Sequence, residues 1–314
     1  MSKEIVFRVM ALLDRRAMLL TVLLGAASPG SAAQPRYVTE LPFTFCDDGL
    51  VCVPVEVDSG RSLTFVLDTG NVISYIASDS AAELGWPLQA VTGKDGKPID
   101  GVQHAGQRTV RLGGLSLSMR MLAFPRARMG PPNHKVAFDG AIVFTDLKDR
   151  ILQIDYRHHL LRISEPLTDT GTSTLPGTLK TVTFGANGPA ILTGEPFTLN
   201  GKNIQAQIDT CFTGTMLVYD AAVEKLHLSA IAGKGSPRFF PNTDGGVTML
   251  GATTQSAGFA HVALGGRHPT IYFPSPGVHQ PDGLFEATVG NELLLSSVLT
   301  LDLHHMRFDV TSAT

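Results

Sequence analysis

Two stretches of this chain repeat one another without a gap. The first, "TFVLDTGNVISYIASDSAA", covers residues 64–82, and the second, "QAQIDTCFTGTMLVYDAA", covers residues 205–222. At an offset of 141 residues, Asp68 falls on Asp209 and Thr69 on Thr210. Gly60 falls on Gly201, Leu67 on Ile208, Ile76 on Leu217 and Asp79 on Asp220. Each copy reads as a hairpin turn, a strand, an Asp-Thr loop, an apolar strand and then a short helix opened by an aspartate cap. A second block repeats at an offset of 147, where residues 138–156 lie over residues 285–303. Phe138 meets Phe285, Ile142 meets Val289, Leu147 meets Leu294 and Asp155 meets Asp302. Two copies are too few for a solenoid, so the pattern predicts a duplicated lobe.

The seam falls in a Thr-, Gly- and Pro-rich stretch at residues 164–177. This divides the chain into an N-terminal lobe at 34–168, a linker at 169–177 and a C-terminal lobe at 178–314. Most other segments alternate, or run apolar over four to seven residues between Gly and Pro, as in "VCVPVEV", "LLRIS" and "VLTLDL". The expected fold is therefore mainly β, with helices only at 78–84 and 219–226. With 314 residues the chain is long enough for two such lobes.

Residues 1–33 have the pattern of an export signal. Lys3, Arg8, Arg15 and Arg16 precede the apolar run "AMLLTVLLGAA", and Ser31 and Ala33 supply the small residues of a cleavage site. That run is short for a bilayer span, so no stable membrane span is expected after its removal. The remainder is an exported, periplasmic or secreted protein with a charge near −5, from −3 for the whole chain. The absence of a basic run argues against a nucleic-acid partner. Cys46 and Cys52 flank "DDGLV", an Asp-Gly hairpin signal, so a disulfide between them and three unpaired small residues are both open.

A pair of Asp-Thr loops meeting at a twofold axis would bring two carboxylates face to face, where like charges hold one proton between them. One carboxylate then serves as general base on a water and its protonated partner as general acid. The two loops, their downstream apolar segments and the twofold layout resemble the pepsin/retropepsin clan of aspartic peptidases. They resemble in particular its exported, two-lobed bacterial members built from retropepsin-like halves. The resemblance spans residues 40–312 and implies a two-lobed aspartic-protease-like β-barrel fold. It also implies endopeptidase activity on a peptide or protein substrate and no cofactor, while the sequence leaves the oligomeric state open, with a monomer expected. Carried over residue by residue, it makes Asp68 and Asp209 catalytic. It gives Thr69 and Thr210 the cross-link between loops, Gly70 and Cys211 the carboxylate-supporting position, and Gly290 the supporting turn.

The chain departs from the family pattern at five points. Cys211 stands for the second loop's glycine, Val143 for the glycine of the first supporting turn, and Asn71 and Phe212 for Ser or Thr. No tyrosine lies between Trp86 and Leu112, where the flap is expected. These departures motivate an alternative, a pseudo-peptidase that binds peptide or protein in the cleft without cutting it. "DTGTS" at 169–173 matches the family loop more literally, but it lacks flanking apolar strands and reads as a linker turn. Adjacent histidines at 158–159 and 304–305 point to opposite faces of an extended chain, so turn roles are expected and no metal site. Cys211 reads either as a small packed residue or as a reactive thiol.

Overall fold

The computed structural model describes residues 37–313, except Asp48, Ser59, Lys94 and residues 130–135, 167–172, 184–189, 241–246 and 276–282. The export signal at 1–33 and the Asp169 turn lie outside the described residues, and the 169–177 linker is described only from Ser173 onward. Residues 35–314 form one compact unit. It is mainly β, with three short helices among the described residues, at Ser78–Glu83, Asp220–Lys225 and Asn291–Leu294. None of its helices is long and apolar enough to cross a membrane.

Period-two patterning explains the strands. In Leu115–Phe124 the residues Leu115, Leu117, Met119, Met121 and Ala123 are buried, while Ser116, Ser118 and Arg120 face solvent. Ser62–Asp68 instead buries its last four residues without alternation. It lies inside its sheet, paired in parallel with Gly140–Val143 on one side and antiparallel with Leu50–Val57 on the other. Eight strands make this sheet. Their order is Thr44–Cys46, Leu50–Val57, Ser62–Asp68, Gly140–Val143, Ser74–Ala77, Leu115–Phe124, Pro98–Leu112 and Gln89–Thr92.

The larger sheet holds the second Asp-Thr strand. Lys202–Ile208 pairs in parallel with Ala287–Val289, which pairs in turn with Met216–Val218. The first strand repeats this arrangement: Leu67 stands opposite Ile142 there, and Ile208 opposite Val289 here. The turns that lead in also agree, because Gly60 and Gly201 hold φ of 73° and 76°, a region open to glycine at little cost.

Three strands from each half of the chain meet edge to edge in the larger sheet. Tyr37–Pro42, Leu160–Ser164 and Ile151–Asp155 are followed by Ser297–Asp302, Arg307–Ser312 and Gly177–Thr183. At the junction Ile151 pairs with Asp302, Gln153 with Thr300 and Asp155 with Val298. Shifting these residues by 147 maps the ladder onto itself, centred on Gln153 and Thr300. The 168/178 boundary read from sequence therefore divides strands that share one sheet.

Several details differ from the sequence reading. The helices at Ser78–Glu83 and Asp220–Lys225 begin after Ala77 and Tyr219, and neither has a side-chain cap. Asp79 lies in the first turn instead, where it meets the helix dipole and pairs with Arg126 at 2.8 Å. Cys46 and Cys52 are joined as a disulfide, with Cα atoms 6.0 Å apart. Cys46 stands opposite Leu50 and Cys52 opposite Thr44, so the bridge runs diagonally across the hairpin.

The junction supplies the first prediction. Ile154 and Leu299 face one another across it, and neither is exposed. Truncating either to alanine should cost about 2–5 kcal/mol in urea unfolding, with a single transition. A split transition would mean that the two ends of the sheet unfold separately.

Candidate functional site

Asp68 ends the Ser62–Asp68 strand, and Asp209 follows directly on Lys202–Ile208. Each is fixed from behind by its parallel neighbour: Asp68 stands in register with Val143, and the Asp209 N–H donates to the Val289 carbonyl at 3.0 Å.

The threonines that follow tie the two loops together. The Thr69 N–H donates to Thr210 Oγ1 and the Thr210 N–H to Thr69 Oγ1, both at 3.0 Å. Each hydroxyl then donates onward, Thr69 to the Ile208 carbonyl at 2.8 Å and Thr210 to the Leu67 carbonyl at 2.5 Å. Both threonines are buried, so no water competes for these groups.

Above this cross-link the carboxylates flank one glycine. The Gly70 N–H donates to Asp68 Oδ1 at 3.0 Å, as the Cys211 N–H does to Asp209 Oδ1 at 2.8 Å. A Cβ on Gly70 would stand 2.3 Å from Asp209 Cγ and 2.5 Å from each of its oxygens. Gly70 is thus barred from carrying a side chain by the opposite aspartate. Its φ is not positive, and neither is that of Cys211. A cysteine therefore meets no left-handed backbone at 211.

Both carboxyls are pushed up from their ordinary range. For Asp68 burial is the largest cause and the Asp209 charge the next, against hydrogen bonds from Gly70, Cys211 and Asn71 that favour ionisation. Burial also raises Asp209, against the backbone N–H groups of Cys211 and Phe212. With Asp68 buried and Asp209 half-buried beside it, the pair keeps a proton closer to neutral pH than free carboxyls do.

The departures acquire physical roles here. Asn71 Oδ1 accepts from the Val72 N–H at 2.8 Å, and its side chain hydrogen-bonds Asp68, filling the place of a hydroxyl. Phe212 instead packs in an aromatic cluster, with ring centroids 5.1 Å from Phe240 and 6.4 Å from Tyr272. The Val143 N–H donates to the Ser74 hydroxyl at 3.2 Å, whereas the Gly290 N–H donates to the Thr215 backbone carbonyl at 2.9 Å. A Cβ at Gly290 would meet the carbonyls of Phe212 and Gly214 at 2.2 and 2.4 Å, so the second turn admits only glycine. At Val143 the interposed Ser74 side chain gives a β-branched residue room.

The Cys211 thiol donates to the Leu67 carbonyl, 3.9 Å from its Sγ, and sits close enough to Asp68 for each to affect the other's ionisation. Burial and then the two aspartates push it well above the ordinary thiol range. Cys211 is held as the neutral thiol, which favours the packed residue over the nucleophile.

Two further residues border the pair and carried no sequence signal. Tyr75 is buried with Val66 and Cys211, its ring 5.7 Å from Phe124, and burial, Cys211 and both aspartates raise its phenol. Gln207 donates to the Gly70 carbonyl at 3.4 Å and accepts from Thr288 at 3.1 Å. In sequence, both look like ordinary strand residues. The Trp86 to Leu112 segment holds the hairpin of Gln89–Thr92 with Pro98–Leu112, and Arg108 stacks 4.6 Å from the Trp86 ring.

The histidine doublets form turns, as expected. His158 Nδ1 lies 2.9 Å from Asp155 and His305 Nδ1 2.9 Å from Asp302. Among the described residues no cluster of His, Cys, Asp or Glu is arranged to hold a metal ion. Neither a scan against protein-family models nor a search of curated proteins finds a match to this chain.

Two predictions follow from the asymmetry at positions 70 and 211. Gly70→Ala should lower Tm by several degrees, roughly the effect of overpacking a closed site, and by more than Cys211→Ala does. Equal shifts would show that Asp209 does not stand against Gly70. The second concerns pH. A carboxyl whose pKa is raised in the folded protein stabilises it fully below the unfolded value and loses that stabilisation as pH rises through the folded one. Asp68 is raised from 3.8 to about 7, so the window closes near neutral pH. Asp68→Asn should therefore gain Tm over the wild type as pH climbs from 5 to about 8.5. A constant difference across that range would sink the assignment.

Proposed function

We propose that this protein is an aspartic-type endopeptidase in which Asp68 and Asp209 share a proton and activate water. The observation that carries the reading is the reciprocal Thr69–Thr210 cross-link, which sets the Asp209 carboxylate against the glycine that binds Asp68. The self-reciprocal ladder about Gln153 and Thr300 supports a two-lobed fold made by internal duplication. It accords with a resemblance to the retropepsin-like halves of exported bacterial peptidases.

In this mechanism the ionised carboxylate takes a proton from water as its oxygen attacks the scissile carbonyl carbon. The protonated partner gives its proton to the carbonyl oxygen, producing a neutral tetrahedral diol. The carboxyl that gained the water proton then protonates the leaving nitrogen. The C–N bond breaks as a diol hydroxyl returns its proton to the other carboxylate. The substrate is an extended peptide held as an added strand, and no cofactor takes part. Export through residues 1–33 to the periplasm or the medium agrees with the Cys46–Cys52 disulfide, a bond suited to an oxidising compartment.

A second reading, a peptide binder that does not cut, is favoured by one observation: a neutral Cys211 thiol sits beside Asp68 at the pair, with its Sγ 3.9 Å from the Leu67 carbonyl. Hydrolysis of a mixed peptide library, with and without pepstatin, separates the two. The peptidase reading expects cleavage with a bell-shaped pH profile whose alkaline limb lies near pH 7, where Asp68 loses its proton. It also expects loss of at least about 1,000-fold in Asp68→Asn or Asp209→Asn. Turnover that survives either substitution overturns it, and an intact library at every pH selects the binder.

A further inference from the structure

Asn291 is 1% exposed and spends its whole amide on three distant partners. Its Nδ2 donates to the Thr210 carbonyl at 2.6 Å and to the Gly49 carbonyl at 3.0 Å. Its Oδ1 accepts from the Tyr156 hydroxyl at 2.7 Å, and the two carbonyls, which can only accept, fix which way round the amide sits. Tyr156 is itself buried.

The Thr210 carbonyl belongs to the same peptide unit as the Cys211 N–H, and that N–H holds Asp209 Oδ1 at 2.8 Å. A peptide unit is planar, so fixing its oxygen fixes the direction of its N–H. Asn291 thereby aims the donor that orients Asp209. Its second arm rests on Gly49, within the hairpin that the Cys46–Cys52 disulfide closes, where the Gly49 N–H also donates to the Cys46 carbonyl at 3.1 Å. At an offset of 147 the matching residue is Phe144, which has no amide to give, so only the Asp209 loop has this brace.

We propose that Asn291 is the positioning residue of Asp209, acting through the Thr210–Cys211 peptide and braced by Tyr156 and the disulfide-closed hairpin. The inference that this brace governs turnover rests on the peptidase reading; the inference that it holds the loop does not. The test therefore reads two quantities in Asn291→Ala and Tyr156→Phe of the full chain. One is peptide hydrolysis. There kcat should fall at least about 10-fold in Asn291→Ala and less in Tyr156→Phe, with KM within about twofold, because the brace acts on the reacting group and not on the peptide.

The other is alkylation of Cys211 by iodoacetamide at pH 8. This thiol is slow in the wild type and should react at least about 10-fold faster once its peptide unit is free to turn. Leu117→Ala, a core variant in the Leu115–Phe124 strand of the other sheet, controls for general loosening. Alkylation unchanged in the folded Asn291→Ala protein, or accelerated equally in Leu117→Ala, overturns the proposal. Should Asn291→Ala fail to fold, Tyr156→Phe is judged alone by the same criteria, since it keeps the ring and removes only the hydroxyl that orients the amide. A wild type without turnover defeats the peptidase reading, and the alkylation result then decides the brace.

Discussion

The exchange between Thr69 and Thr210 is the interaction on which this structure turns. Neither loop can satisfy its own polar groups: each threonine N–H needs the other's hydroxyl, and each hydroxyl needs a carbonyl of the opposite strand. Because these groups are buried, leaving any one unpaired costs about 1–3 kcal/mol, more than the net gain of a typical bond. The two strands are therefore committed to meeting at one depth and one angle. The junction ladder about Gln153 and Thr300 meets the same condition elsewhere in the chain, with a reciprocal register that holds the two ends in matching orientations. The closeness of Asp209 to Gly70 follows from that geometry, and so does the Asp209 charge that adds to burial in raising Asp68.

Much of this was legible in the sequence because the repeat is carried by local patterns. Strand, Asp-Thr, apolar strand and helix recur at fixed spacing, and the structure returns the same order with Gly60 and Gly201 at matching backbone angles. The 147-residue offset of the second block also aligns Gly140–Val143 with Ala287–Val289, which the structure places in parallel beside the two Asp-Thr strands. What failed was finer than the pattern. Asp79 and Asp220 looked like caps by residue type, yet the first helix begins two residues and the second one residue earlier than those caps require. The cysteines were correctly placed on one hairpin, but the two-residue diagonal between them depends on turn geometry that composition does not fix.

The residues that complete the site were illegible for a different reason. Tyr75, Gln207 and Asn291 each reach the loops through contacts that span long stretches of chain, from elements whose apolar or polar pattern is ordinary. Asn291 follows a glycine at the start of a one-turn helix, a place where asparagine has local uses. Nothing in its neighbours announces that its amide faces the Thr210 carbonyl. Val143 was read as a defect for a similar reason: the Ser74 hydroxyl that replaces a backbone acceptor belongs to another strand.

The two halves of the site are alike in backbone and unlike in side chains. Asp68 receives a donor from Asn71 besides the Gly70 N–H and has the Cys211 thiol beside it, whereas Asp209 is held by backbone N–H groups. Side-chain donors can turn with the charge they serve, while a backbone donor is only as well aimed as its peptide plane. A carboxylate that depends on backbone donors thus needs that plane held from behind, and a buried amide on the Thr210 carbonyl meets the need without adding charge. Cys211 then fits the same scheme. Its N–H serves Asp209 and its thiol meets the carbonyl that precedes Asp68, so the residue that stands where the first loop has Gly70 touches both halves of the site.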